Sequence, residues 1–388
     1  MNVGRVLLLT LLMPFLLQSQ KAETQISFAK EQKPLAYYVE QAALWWKEVE
    51  QDRGSEKAWW NYYRACRNAQ GKADWSTDFV NLGPNLRPGD EIVEMMEESI
   101  PGTFIYHYTK GSTGGAAADA GSHLMKAYAM KPDFPGMLAN VVTYASATHD
   151  DSLRKEANAR WYKQGEWSPA FLAFARNLLM SVNQNGILLT QHDNDTYPLW
   201  LVQDAEGFRQ DVLVLNIDFL LNGDFSDSVF TLLGIPKYRI GDVDVNEYRS
   251  NWKNVVMHLL REYQGERPLY VSQTLSPDWY AESADEFTIH GLAKHWKSDI
   301  RQKSAENARL LASFDWNYID LEFPPGSAEE RLLEMDLLYL PAIELALLGT
   351  SLNQNERNQL EFIGRTIISE LGDDALWDDY PFIPQKAR

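Results

Sequence analysis

The polar segment Gln191–Pro198 holds the most chemically versatile group of side chains in the sequence. Two carboxylates, an imidazole and an amide fall within four residues, and such groups bind a hard cation or serve as acid and base. The sequence identifies neither a catalytic residue nor a cofactor, and it leaves metal binding open. The candidate ligand-binding residues are His192, Asp193, Asn194, Asp195 and Thr196.

The neighbouring residues predict how this segment is positioned. The apolar run Ile187–Thr190 before it is typical of a buried strand, and a helix is predicted over residues 198–206. A second buried strand is predicted over residues 211–216. In open α/β sheets, ligands bind in the crevice outside the carboxyl ends of the strands. The N–H groups at a helix start also attract anions. The segment is therefore a candidate binding site.

A purely structural interpretation of the same residues is also open. Asp195 or Thr196 would cap the helix that begins at Pro198, because short oxygen-bearing side chains accept hydrogen bonds from the first helical N–H groups. Asp193 and Asn194 would then brace the turn. The sequence does not decide between this cap and a ligand site.

The wider pattern predicts an α/β fold with helical, tetratricopeptide-like flanks. A strand, a helix and a strand within about 30 residues match a βαβ unit, and Leu269–Ser272 predicts a third strand. We therefore expect a three-layer core with a mostly parallel sheet. Residues 34–70 predict a helical pair in which large aromatic residues face alanines across a short turn, as in tetratricopeptide units. Ser55 is placed to cap the second helix of that pair.

The sequence predicts four regions. Residues 1–22 are a signal peptide, and residues 23–165 are a helical repeat-like region with an irregular insert at 74–115. Residues 166–304 form the α/β core, and residues 305–388 form a C-terminal helical cap and tail. Within the insert, we predict a helix over residues 91–98 and a strand over residues 103–108.

The N-terminus predicts export. Arg5 precedes the apolar run Val6–Leu17 and a polar exit, which is the pattern of a cleaved signal peptide. The run is shorter than the roughly 20 apolar residues that span a bilayer. No later segment resembles a membrane span, so we expect a periplasmic or secreted mature chain without a transmembrane segment.

Charge and cysteine content exclude several classes of function. The formal net charge of −18 argues against nucleic-acid binding, which needs a basic face. Cys66 is the only cysteine, so neither an intrachain disulfide nor a cysteine-based metal cluster is possible. A buried, inert thiol is the favoured interpretation of Cys66. His290 and His295 lie five residues apart around Gly291, which is a poor metal-binding spacing.

The stretch from Gly186 to Asn216 resembles a signature in the soluble region of some bacterial membrane proteins related to protein O-mannosyltransferases. Its most specific part is Asp-Asn-Asp-Thr-Tyr-Pro at residues 193–198. Residues 267–272 and 290–292 resemble later segments of that region. The chain is also similar, over roughly residues 120–370, to exported tetratricopeptide-like proteins of Bacteroidetes that share the signature without the membrane part.

One departure from the pattern affects the candidate site. Gln191-His192 stands where the family has Asn-Gly or similar, which puts a tight backbone turn before Asp193 in doubt. The resemblance implies no glycosyl transfer, because that chemistry belongs to the membrane half of the relatives.

These features favour an exported binding or scaffold protein of the bacterial envelope, with a glycan or an envelope protein as partner. Stacked helical pairs provide concave surfaces for such partners. The alternative is a carbohydrate-active envelope enzyme, a hydrolase or transferase, that uses Asp193 and Asp195. A third possibility is a subunit of a larger envelope complex.

Overall fold

The described part of the protein is mostly helical and contains one small sheet. The computed structural model describes residues 21–28, 30–113, 119–238, 248–298, 303–319 and 331–385. The predicted signal peptide therefore lies almost entirely outside the described residues. Within these ranges, no helix is long and apolar enough to cross a membrane.

Sixteen α-helices occur in the described ranges, and they are numbered here in chain order. They are α1 Leu35–Gln51, α2 Glu56–Lys72, α3 Gly89–Ser99, α4 Phe104–Thr113, α5 Ala120–Met130, α6 Met137–Ala147, α7 Asp151–Gln164, α8 Pro169–Met180, α9 His192–Glu206, α10 Gly223–Leu233, α11 Tyr248–Glu262, α12 Lys303–Ser313, α13 Arg331–Asp336, α14 Leu340–Leu348, α15 Gln354–Leu371 and α16 Leu376–Asp379.

The chain divides into two compact units. The first contains residues 1–28 and 32–109, and the second contains residues 29–31 and 110–388. Helices α1 to α3 belong to the first unit, whereas the whole sheet and helices α5 to α16 belong to the second. The four regions predicted from the sequence stay a prediction.

Helices α1 and α2 form the helical pair that the sequence predicts in the first unit. The Ser55 side chain accepts a hydrogen bond from the Ala58 N–H at the start of α2, as a capping residue does. Trp46 of α1 meets Trp59 of α2 edge to face, with ring centroids 6.3 Å apart. The predicted pair is confirmed, and its assignment as a tetratricopeptide unit stays a prediction.

The insert at 74–115 contains one correct and one wrong prediction. Helix α3 confirms the helix predicted over residues 91–98. The strand predicted over residues 103–108 is wrong, because this segment lies in α4. Its alternating aromatic residues suggested a strand, but Phe104 and Tyr108 are also one helical turn apart and stack with centroids 5.7 Å apart. The Glu56 carboxylate also accepts the Ile105 N–H near the start of α4.

The sheet of the second unit has five strands in the order β2-β1-β3-β5-β4. The first three confirm the predicted strands, although β2 begins two residues later than predicted. Strands β1, β2 and β3 pair in parallel, with β1 in the middle. The strands are β1 Ile187–Thr190, β2 Leu213–Asn216, β3 Leu269–Ser272, β4 Phe287–His290 and β5 Ala293–Trp296.

The expected three-layer core with a mostly parallel sheet is wrong. Strands β4 and β5 form a hairpin, and β5 pairs with β3 in the antiparallel direction. The sheet is therefore mixed and small within a largely helical chain. The chain reverses at Gly291, whose φ of +61° suits glycine far better than other residues. The sequence patterns above predict no hairpin at this turn.

An apolar core covers one face of the sheet. Ile187 and Leu189 of β1 and Leu269 and Val271 of β3 alternate along their strands and point to this face. Side chains of α10, α11 and the 3-10 helix Pro277–Glu286 pack against them. The core holds β1, β2 and β3 in register, so it fixes where their carboxyl ends lie.

Candidate functional site

Polar residues meet where the three parallel strands end. Gln191 and His192 follow β1, Asp218 follows β2 by two residues, and Ser272 is the last residue of β3. Because the strands are parallel neighbours, these ends share one edge of the sheet. We call the group at this edge the carboxyl-edge cluster. It contains Gln191, His192, Asp193, Asp195, Asp218, Trp252, Ser272, Thr274 and Trp279.

His192 is held in an unusual backbone conformation by Asp218. Its φ is +61°, which is uncommon for a residue with a side chain and costs on the order of 1 kcal/mol or more. One oxygen of Asp218, Oδ2, accepts the His192 backbone N–H at 2.9 Å and lies 3.0 Å from Nδ1 of the imidazole. The His192 side chain is 67% exposed, so the Asp218 contact fixes the ring while leaving Nε2 for other contacts.

The same contact changes the charge state of His192. Its hydrogen bond to Asp218 raises the pKa of the imidazole above the ordinary value of 6.5, and this outweighs the opposing effect of desolvation. Because the folded-state pKa is raised, the ion pair stabilises the fold fully below the ordinary pKa. That contribution is lost as the pH rises through the raised pKa.

We expect Asp218→Asn to lower the pKa of His192. The asparagine oxygen still accepts the His192 backbone N–H but no longer carries the charge that favours the imidazolium. NMR titration of the His192 ring protons measures the change, with the exposed Asp374→Asn substitution as a control. An unchanged His192 pKa in Asp218→Asn would show that Asp218 does not set its charge.

Asp195 is buried and ties two strands together. Its Oδ2 accepts the Gln191 N–H at 2.9 Å, and its Oδ1 accepts the Ser272 hydroxyl at 2.9 Å. Thr274 is a further hydrogen-bonding neighbour. Desolvation raises the pKa of the Asp195 carboxyl despite these bonds. This side chain links the junction of β1 and α9 to the end of β3.

The predicted helix start is wrong. Helix α9 begins at His192 rather than Pro198, and Pro198 lies inside it. Neither Asp195 nor Thr196 is therefore the residue that precedes the helix. Side chains explain the earlier start: Asp195 accepts the Gln191 N–H from within α9, and Asp218 accepts the His192 N–H. Both N–H groups lack partners within the helix, so satisfying them stabilises its first turn.

The other three predicted residues lie in different environments. Asp193 is exposed and Asn194 is half-buried, both in the first turn of α9. Desolvation raises the pKa of the Asp193 carboxyl, against the lowering effect of the Tyr197 hydroxyl. Thr196 is buried, and its hydroxyl lies 2.8 Å from that of Thr190. Thr196 therefore helps to hold the junction rather than facing a ligand.

Two buried polar atoms of the cluster have no hydrogen-bond partner among the described residues. They are Oδ1 of Asp218 and Nε2 of Gln191. Gln191 is only 7% exposed, and its other amide atom, Oε1, accepts the indole N–H of Trp279 at 2.8 Å. A buried polar atom without a partner costs about 1–3 kcal/mol, so such atoms mark places where an ordered water or a ligand supplies the missing bond.

Aromatic rings connect the two ends of this group. The ring of Trp252 lies 5.7 Å from that of His192 and 5.5 Å from that of Trp279, measured between centroids. Contacts therefore run from Asp218 through His192, Trp252 and Trp279 to Gln191. The cluster combines polar groups with aromatic surface, which is typical of small-ligand sites.

The acidic residues of the cluster do not form a metal site by themselves. Among the described residues, no group of three or more His, Cys, Asp or Glu side chains is arranged to hold a metal ion. Both oxygens of Asp195 already accept hydrogen bonds, which leaves Asp193 and Asp218 as the carboxylates for a ligand.

His290 and His295 meet across the hairpin that the sequence analysis missed. Their ring centroids are 5.9 Å apart. His290 Nδ1 lies 2.5 Å from the Ser181 carbonyl oxygen, and the Lys303 ammonium, 2.9 Å from the Glu306 carboxylate, supplies a cation nearby. Burial lowers the pKa of both imidazoles, that of His295 to about 4. This buried polar layer holds the hairpin against α12.

A groove of about 730 Å³ runs along the outer edge of β2, away from the carboxyl-edge cluster. Its polar side chains are largely engaged. Gln203 donates to the Val212 carbonyl at 2.8 Å, and Trp200 donates to the Val214 carbonyl at 3.4 Å. These bonds cover the open edge of the sheet, which otherwise attracts other strands. We therefore interpret the groove as a sealed edge.

Several residues of the cluster are not among those predicted from the sequence. Asp218, Ser272 and Thr274 stand after β2 or at the end of β3, just as His192 stands after β1. Listing the polar residues that follow all three predicted strands would have found them. Trp252 and Trp279 had no such signal, because their approach depends on the packing of α11.

A protein-family model describes part of this region. Residues 171–226 match the model of the TMEM260-associated domain 2. The matched segment includes β1, α9, β2 and all five predicted site residues. It agrees with the resemblance to membrane proteins related to protein O-mannosyltransferases. No curated protein and no solved structure is significantly similar to the chain.

Proposed function

We propose that this chain is an exported binding protein of the bacterial envelope and that its ligand binds at the carboxyl-edge cluster. The observation that carries the proposal is the pair of buried, unpartnered atoms, Asp218 Oδ1 and Gln191 Nε2. They lie beside an exposed imidazole that Asp218 orients. A protein tolerates such atoms when a ligand or ordered water supplies the missing bonds.

The proposal also covers export of the chain and the class of its partner. The basic start at Arg5 and the apolar run Val6–Leu17 support export, and with it an envelope location. The carboxyl-edge cluster combines polar groups with the ring of Trp252, which suits a ligand with both polar and apolar faces. A glycan or an envelope protein is therefore the proposed partner.

The catalytic alternative finds less support in the same geometry. It requires both Asp193 and Asp195 to act on a substrate. Asp195 is buried and accepts bonds from Gln191 and Ser272 with its two oxygens. A side chain in that position is suited to holding the site together.

We expect glycan or protein binding to be lost in Asp218→Asn and to persist in Asp374→Asn, a substitution of an exposed carboxylate near the C-terminus. The probes are an array of bacterial envelope glycans and a set of purified envelope proteins. Thermal unfolding of each variant checks that it folds. If every interaction of the wild-type protein survives Asp218→Asn, the ligand does not bind at this cluster and the proposal is wrong.

A further inference from the structure

We propose that the ligand of the carboxyl-edge cluster is a neutral glycan, recognised through its hydroxyl groups. This inference rests on the proposed function, because it names the ligand class of the same site. It depends on what Asp218 Oδ1 and Gln191 Nε2 each require from a partner.

The two atoms have opposite requirements. Oδ1 of Asp218 is a carboxylate oxygen and needs a donor, whereas Nε2 of Gln191 is an amide nitrogen and needs an acceptor. The Oε1 bond to Trp279 fixes which end of the Gln191 amide carries the N–H groups. The ligand must therefore donate to one atom and accept from the other.

The two atoms belong to neighbouring parts of the cluster. Asp218 binds the backbone N–H of His192, the residue directly after Gln191. A hydroxyl group both donates and accepts, so a ligand that carries several hydroxyl groups can satisfy both atoms. An ammonium group only donates, and a carboxylate or phosphate only accepts.

Charge supports the same choice. Asp193 and Asp218 are the carboxylates that remain for a ligand, and the His192 imidazolium offsets the charge of Asp218. The Asp193 carboxylate is left without such a cation, which disfavours uronates and phosphates. A cationic amine would suit Asp218 but would leave the buried amide N–H of Gln191 without an acceptor.

Aromatic surface favours a sugar over a free polyol. Trp252 stands between His192 and Trp279, with centroid distances of 5.7 and 5.5 Å. Trp279 is buried, whereas Trp252 is half-buried, so the apolar C–H face of a pyranose can pack on the ring of Trp252 while its hydroxyls reach polar neighbours. The cluster offers both kinds of contact within a few residues.

The test compares five trisaccharides of three charge classes, using calorimetric titration of the full chain. The probes are maltotriose, mannotriose and cellotriose as neutral sugars, the trimer of glucosamine as the cation, and trigalacturonate as the anion. We expect a neutral sugar to bind at least about tenfold more tightly than either charged one. Gln191→Glu, which replaces the donor by an acceptor, should weaken it by about tenfold.

A second substitution at Gln191 tests the same hydrogen bond by a different chemical change. Gln191→Met keeps the length of the side chain and removes both polar atoms, and it should weaken neutral sugars to a similar degree. Thermal unfolding shows whether each variant folds. The inference is overturned if no neutral trisaccharide binds, or if Gln191→Glu and Gln191→Met both fold and bind as the wild type does.

The proposed function can survive that failure. Binding of a charged glycan or an envelope protein that Asp218→Asn abolishes, with both Gln191 variants unaffected, would retain the site and refute the neutral-sugar ligand. If Asp218→Asn leaves all binding unchanged, both the proposed site and the neutral-sugar ligand are refuted.

Discussion

Gly291→Ala is expected to lower the free energy of unfolding by about 2–5 kcal/mol. The left-handed backbone, with φ of +61°, costs an alanine roughly 1–2 kcal/mol. Its Cβ would also lie 2.2 Å from Ser181 Oγ and 3.0 Å from Phe314 Cζ. Overpacking of this kind costs about 1–3 kcal/mol. Ser181 cannot move freely, because its hydroxyl donates to the Asn177 carbonyl and accepts the Leu292 N–H.

Gly234→Ala is the matched control for this substitution. Gly234 has a similar φ of +68°, but nothing lies within 4 Å of where a Cβ would be. Gly234→Ala should therefore lower the free energy of unfolding only by the cost of the left-handed backbone, roughly 1–2 kcal/mol. Urea unfolding of the two variants measures the difference. Equal losses would show that the hairpin turn is not crowded against Ser181, and would contradict the described packing of β4 and β5.

Asp195→Ala is expected to lower the free energy of unfolding by about 2–4 kcal/mol. The substitution leaves the Gln191 N–H and the Ser272 hydroxyl, both buried, without their acceptor. Each such group costs roughly 1–3 kcal/mol, less what rearrangement recovers. Asp195→Asn should cost less, because its oxygen can accept the Gln191 N–H while its amide donates to Ser272. Urea unfolding of both variants measures these losses. If neither substitution lowers the free energy of unfolding, Asp195 is dispensable and does not link α9 to β3.

The cost of Asp195→Asn, measured as the loss in the free energy of unfolding, should fall as the pH rises above 3.8, the ordinary pKa of an aspartate. Burial raises the folded-state pKa of Asp195 above its ordinary value of 3.8, so the folded protein retains this proton longer than the unfolded chain does. Stability from this group therefore decreases as the pH rises from the unfolded pKa through the folded one. Asparagine does not titrate. A cost that grows with pH would contradict a raised pKa for Asp195.

The sequence predicted the parallel strands because their signals are local. Residues 187–190 and 269–272 are short apolar runs with polar or turn-forming flanks, and both strands occur where predicted. Strand ends carry polar residues, so the segment after β1 was a sound candidate site. Its partners were harder to find, because Asp218 and Ser272 reach it only once β2 and β3 lie on either side of β1.

The errors have a common physical origin in long-range contacts. The start of α9 depends on Asp218, 26 residues after His192, and a local reading of Pro198 as a helix start cannot include that bond. The β4–β5 hairpin depends on Gly291, whose neighbours Ser181 and Asn307 come from distant parts of the chain. Local patterns predict where the parallel strands lie. Contacts between distant segments determine that β5 pairs with β3 in the antiparallel direction and that α9 begins at His192.

The most direct test of the central claim is hydrogen–deuterium exchange with and without the most tightly bound glycan of the array. Binding at the carboxyl-edge cluster predicts slower exchange in peptides that cover residues 191–197 and 216–220, with little change along β4, β5 and α15. Protection confined to the groove at the outer edge of β2, or to helices α1 and α2, would contradict the proposed site.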